Sequence, residues 1–192
     1  TLGLADDDVV SLSNLQRQVL YGTADIGAAK VDRAAARLTA LNPHVAIERH
    51  PVRLTMDNGP DIVRAYDLVI DGSDNFATRY TAAALCEAAE RPLVQATVQR
   101  FSGALTLLAP FTTLPDASPA PRLTDLFPEA PPEGSVPTCA EAGILGVVTG
   151  ILGTMAAAEA VKHICGIGDP LIGRLLMVDV LSMRFSEIRY RR

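Results

Sequence analysis

Residues Leu68, Val69 and Ile70 form an unbroken apolar run that ends on Asp71. A strand with one wet face alternates apolar and polar residues. This run does not, so the sequence predicts a strand over Tyr66–Asp71 that is covered on both faces, as in parallel α/β sheets. Leu2–Ala5 is a second short apolar run, read as a buried strand whose carboxyl end delivers Asp6, Asp7 and Asp8 to a sheet edge. Helical patterns separate the strands. Asp25–Leu41 carries Ile26, Val31, Ala34, Ala35 and Leu38 on one face and stops at Asn42-Pro43, and a strand over Val45–Pro51 follows. Asp57–Ala65 reads as a short helix capped near Asp57 or Asn58, and Asp74–Glu90 as a longer one with Asp74 or Asn75 at its start. Strands over Pro92–Val98 and Ser102–Pro110, an apolar helix over Cys139–Ile164 and closing strands over Arg174–Leu181 and Arg184–Arg191 complete the order.

That order predicts one α/β domain over 1–192 with a Rossmann-like nucleotide-binding sheet. The sheet is mainly parallel with antiparallel strands toward the C-terminus, and helices lie on both faces. Eight of the thirteen prolines fall between Pro110 and Pro137, so a regular helix or central strand is excluded there, and 110–138 reads as a long surface crossover. The 17 basic and 22 acidic residues leave a net charge of −5 with no basic run to track a phosphate backbone, which argues against nucleic acid as a partner. Cys86, Cys139 and Cys165 are odd in number and form no C-x-x-C pair, a usage that fits a reducing cytoplasm. His44, His50 and His163 lack metal-ligand spacing. The charge-free stretch between Glu141 and Glu159 falls short of the ~20 apolar residues of a spanning helix, so it reads as a buried helix rather than a membrane segment. Its Gly146 and Gly150 suit close helix packing in a dimer.

Ligands of open α/β sheets sit at the carboxyl ends of strands, where Asp6 is placed to accept a ribose hydroxyl and Asp8 lies beside it. Asn14, Arg17 and Gln18 follow in the polar segment Ser11–Gln18. Arg17 offers a planar fork of donors suited to phosphate, and Lys30 a compact cation for a leaving pyrophosphate. Each feature alone also reads as something plainer, the aspartates as a solvated turn and N-L-Q-R-Q as an exposed short helix.

Taken together, the acidic strand end, S-x-S-N-L-Q-R-Q and A-A-K-V resemble the MoeB/ThiF family of enzymes that activate ubiquitin-like sulfur carriers. The resemblance continues through D-L-V-I-D-G-S-D-N with Arg79, V-P-T-C-A-E-A-G-I-L-G and G-R-L-L-M-V-D. It is nearest to actinobacterial forms that lack the zinc-binding cysteines, so no zinc is expected. The resemblance implies ATP as substrate and Asp74 near the triphosphate and its magnesium. It also implies a partner protein of the MoaD, ThiS or CysO type, whose C-terminal Gly-Gly carboxylate is adenylated under the crossover. A homodimer and a rhodanese-type or other sulfur donor are further implications. Cys139 has two readings, a thiol that attacks the acyl-adenylate or carries sulfur, and a small packing residue at a helix start. Cys86 and Cys165 read as core.

Relatives begin with a first strand and a G-x-G-G-x-G loop before the Leu2–Ala5 strand, so the chain is expected to be part of a longer polypeptide. Two alternatives stand beside adenylation. One is a catalytically silent subunit that pairs with a complete partner, and the other is an NAD-dependent oxidoreductase suggested by the nucleotide-fold pattern alone.

Overall fold

Strand β1 (Leu2–Ala5) and strand β2 (Ile47–His50) pair in parallel, Leu2 opposite Ile47 and Ala5 opposite His50. Parallel neighbours need a crossover, here helix α1 (Lys30–Leu41). The helix buries Val31 and Ala34 of the expected stripe. It begins at Lys30 rather than Asp25, because Asp25 is used elsewhere. The Asp25 carboxylate accepts the Gly22 N–H at 2.8 Å and closes a 3-10 turn over Thr23–Asp25. Gly27 then takes a φ of +86°, which glycine adopts without steric cost, and turns the chain into a bridge between Val9 and Ala29. Ile26 is left exposed.

The computed structural model describes residues 1–132 and 143–192, and by its contacts the chain divides into two units, Thr1–Thr55 and Met56–Arg192. The second unit opens with helix α2 (Gly59–Arg64) and strand β3 (Val69–Asp71). Helix α3 (Phe76–Ala88) is capped by Asn75, whose side chain accepts the Thr78 N–H at 2.8 Å. Strands β4 (Leu93–Gln99), β5 (Ser102–Leu108), β6 (Arg174–Asp179) and β7 (Arg184–Arg189) extend the sheet in the order β3-β4-β5-β6-β7. The β3–β4 pairing is parallel and every later one antiparallel. The expected covering on both faces of β3 is not met, since Ile70 stays 47% exposed; among the described residues β3 is also an edge of this sheet. The same holds at β1, where Leu2 is exposed. Among its described residues the proline-rich stretch carries one helical turn, α4 (Leu123–Leu126).

Helix α5 (Gly146–Cys165) is long and apolar enough to cross a membrane, yet it lies along the sheet. Only one stripe of it is buried, not the whole helix as expected. Val148, Leu152 and Ala156 pack on Val94, Leu105, Leu107 and Val178, which the antiparallel register places on one face of the sheet. Among described residues it begins at Gly146, because Ile144 is taken by a bridge to Arg100 and Leu145 donates its N–H to the Arg100 carbonyl at 2.9 Å. Helix α3 covers the opposite face, where Cys86 lines a cavity of about 270 Å³ with Leu93 and Leu108.

Gly103 sits beneath Leu152, and a Cβ there would meet Leu152 carbons and the Thr97 carbonyl oxygen at 2.8 Å. Leu152→Ala is expected to cost about 2–5 kcal/mol by cavity formation and Gly103→Ala about 1–3 kcal/mol by overpacking. In denaturant unfolding the double variant should lose less than the sum, because a smaller residue 152 makes room. Strict additivity would show that the two do not touch. Burial, helped by the charge of Asp71, pushes the Cys86 thiol up to about 12. Cys86 is core as expected, but Cys165, the last residue of α5, is exposed, so residue-resolved alkylation at pH 8 should modify Cys165 and leave Cys86 intact until the protein unfolds.

Candidate active site

In the first unit, the carboxyl end of β1 turns sharply. Asp6 accepts the Asp8 N–H at 2.8 Å, an Asx turn that brings the oxygens of Asp6, Asp7 and Asp8 within 4.8 Å of one another. Asp7 is held by Arg53 at 3.1 Å. Asp8 meets Lys30 directly, with Nζ 2.9 Å from Oδ2, and the Lys30 N–H also bonds the Asp8 carbonyl at 3.0 Å. The pair is asymmetric: the lysine side chain is 7% exposed and the aspartate 62%. A buried ammonium needs a counter-charge, and this one has it at the mouth of the strand, where an incoming anion would compete for it.

Asn14, Arg17 and Gln18 share one turn after a 3-10 segment over Leu12–Asn14. Arg17 donates to the Ser13 carbonyl at 3.2 Å, and the Arg17 and Gln18 N–H groups both bond the Asn14 carbonyl. Asn14 donates to the Ser13 hydroxyl at 3.2 Å. The buried Oε1 of Gln18 finds no donor among the described residues. A buried acceptor without a donor in this turn suits a ligand that carries hydroxyl groups better than a solvated surface turn. Tyr21 was not anticipated. Partial burial, then the charge of Asp6, raises its phenol.

In the second unit, the loop after β3 carries Asp74. It is exposed, and no described residue donates to it. A lone carboxylate with free lone pairs fits magnesium, which is bound through one or two carboxylates, water and substrate phosphates. Arg79 turns back onto its own loop. Its Nε and NH2 groups return to the Ser73 carbonyl at 3.3 and 3.0 Å, and its guanidinium lies 5.2 Å from the Phe76 ring centre. Asp71 is buried and was not singled out for a role; its partner Gln95 lies 24 residues away, beyond any local pattern. Cys139 lies outside the described residues.

The structure thus joins Lys30 to Asp8 and Asn14 to Arg17 and Gln18 within the first unit, and sets Asp74 on its own loop in the second. The fold is shared with Escherichia coli MccB crystallised with MccA-N7isoASN, at a TM-score of 0.79 and 16% identity, covering 99% of this chain and 57% of that one. Similarity in sequence is much closer elsewhere. The sulfur carrier protein adenylyltransferase of Thermus thermophilus is 45% identical over 191 residues, which is 100% of this chain and 70% of that protein. The probable adenylyltransferase/sulfurtransferase MoeZ of Mycobacterium tuberculosis is 41% identical over 192 residues, which is 100% of this chain and 48% of that protein. The ThiF family model matches residues 1–192, the span that holds the β1 acids, the Arg17 turn, Lys30 and the Asp74 loop, and the chain belongs to that family.

Proposed function

We propose that this chain adenylates the C-terminal Gly-Gly carboxylate of a small ubiquitin-like sulfur carrier. A carboxylate oxygen attacks the α-phosphorus of ATP, the bond to the bridging oxygen breaks, and pyrophosphate leaves with the electron pair. The protein supplies alignment and charge, as expected for a reaction whose barrier is largely electrostatic. The observation that carries this reading is Lys30, a buried ammonium whose Asp8 partner is itself exposed at the strand end. Triphosphate would take the place of Asp8 and be neutralised as pyrophosphate forms. Arg17 and Gln18 would grip the phosphates and ribose side, Asn14 would order their turn, and Asp6 would accept a ribose hydroxyl. Asp74 would hold magnesium, which offsets charge on the phosphate oxygens when bound.

The carrier would be of the MoaD, ThiS or CysO type, sulfur would come from a rhodanese-type or other donor, and the reaction would take place in the cytoplasm. A homodimer would form through the outer face of α5. There Val147, Gly150, Thr154, Ala157, Val161 and Ile164 are exposed at alternating three- and four-residue spacing, and no atom comes within 4 Å of a Cβ built on Gly150.

Three measurements test this. Carrier-dependent exchange of pyrophosphate into ATP should be observed with at least one ubiquitin-fold carrier from the same cell, and none with any carrier would refute the reading. Lys30→Met and Asp74→Asn should each lower that exchange by roughly a hundredfold while leaving the melting temperature of Asp74→Asn unchanged. Near-normal rates in both variants would remove these residues from the site. For the dimer, Ile164→Asp should halve the mass seen by light scattering, and an unchanged mass would place the interface elsewhere.

A further inference from the structure

Gln95 lies in the middle of a buried strand, where an apolar side chain would pack without a polar debt. It stands beside Asp71 in the parallel β3–β4 ladder, and its Nε2 donates to Asp71 Oδ2 at 3.3 Å. The carboxylate can only accept when ionised, so the amide must present its nitrogen. With that oxygen held, the other, Oδ1, accepts the Ser73 N–H at 2.8 Å. Arg79 takes the Ser73 carbonyl from the far side. The two peptide units that flank the Ser73 Cα are thereby held, one by its donor and one by its acceptor, and the second of them leads directly into Asp74.

We infer that Gln95, acting through Asp71, is a positioning residue for Asp74: the Gln95–Asp71 pair and Arg79 clamp the Ser73 backbone so that the following carboxylate is presented in one orientation to the magnesium of bound ATP. The inference rests on the proposed adenylation for what Asp74 does, but the clamp itself is a property of the free protein. A carboxylate on an unclamped Gly72–Asn75 loop would spend part of its time turned away and would bind the ion more weakly. The transfer step itself would be untouched once the ion is bound. The signature is therefore a changed magnesium requirement rather than a changed maximal rate.

The test compares Gln95→Leu, which keeps bulk but removes the donor, with Asp71→Leu and Asp71→Asn. The asparagine can still accept from Ser73 and can donate to the Gln95 oxygen once that amide turns over. Two readouts are taken on the full chain: hydrogen exchange at the Ser73 amide without ligands, and the magnesium dependence of carrier-dependent pyrophosphate exchange. Gln95→Leu and Asp71→Leu should speed Ser73 amide exchange by about tenfold while β4 amides keep their protection. They should also raise the magnesium concentration for half-maximal activity by about tenfold, the low end of what outer partners of a metal ligand contribute, with the saturating rate within about twofold. Asp71→Asn should stay near wild type in both. If Ser73 exchange is unchanged in Gln95→Leu, the clamp is wrong whatever the activity. Faster Ser73 exchange with an unchanged magnesium requirement would overturn the positioning role. If the wild-type chain supports no pyrophosphate exchange with any carrier, the adenylation reading and the role of Asp74 fall together, while the amide measurement still decides the clamp.

Discussion

The close approach of α5 to the β4–β5 hairpin at Gly103 is the contact on which the second unit depends. Removing one side chain lets Leu152 drop onto the sheet, and the flanking Leu105, Leu107 and Val94 then bury against Val148 and Ala156. Beyond them the helix also fixes the next segment of chain. Buried Glu159 accepts the Leu171 N–H at 2.9 Å, with Lys162 paired to its other oxygen and donating in turn to the Asp169 carbonyl at 3.0 Å. A buried carboxylate survives there because both its oxygens are occupied. Helix, hairpin and the entry to β6 are thereby one packed body, and β3 joins it through β4.

The two units use one device at the end of a parallel strand. Asp6 after β1 accepts the N–H two residues on, and Asp71 at the end of β3 does the same for Ser73. Each Asx turn ends the strand without an unsatisfied donor and leads at once to a further acid, Asp8 paired with Lys30 in one case and the exposed Asp74 in the other. In each turn the first acid secures the backbone. A run such as D-D-D conceals this division, since identical side chains do different work.

Local signals in the sequence carried the parts of the fold that local chemistry decides. The Asn75 cap was legible because a short polar side chain ahead of an apolar helical pattern has one obvious use, and the hairpin at Arg100 because two strand patterns flank it. Lys30 was legible as a cation at a helix start, though not its burial against Asp8. What was hidden depends on distant partners. The start of α1 could not be read because Asp25 closes a turn on Gly22 and Gly27 takes a positive φ, both decided by the Val9–Ala29 bridge. The apolar runs of β1 and β3 promised strands covered on both faces, yet each forms the edge of its sheet among the described residues, and a strand's number of neighbours is not written in its own composition. The helical turn Leu123–Leu126 escaped notice because prolines on either side forbid a long helix but permit a single turn.

The course of the crossover has a mechanical consequence. It leaves the sheet after Leu108, at the end of β5, and among the described residues the chain meets it again at Ile144, which bridges Arg100 at the opposite end of the same hairpin. Seven residues of strand separate those points, about 20 Å at the usual rise. Its first half folds back on itself through the Ala120 N–H to the Thr112 carbonyl at 3.0 Å and is tied to α3 by the Tyr80 hydroxyl, which donates to the Phe127 carbonyl at 2.8 Å. Residues 109–128 are thus a folded arm pinned to a helix of the second unit, and a change at Tyr80 would loosen the arm without touching the hairpin it leaves.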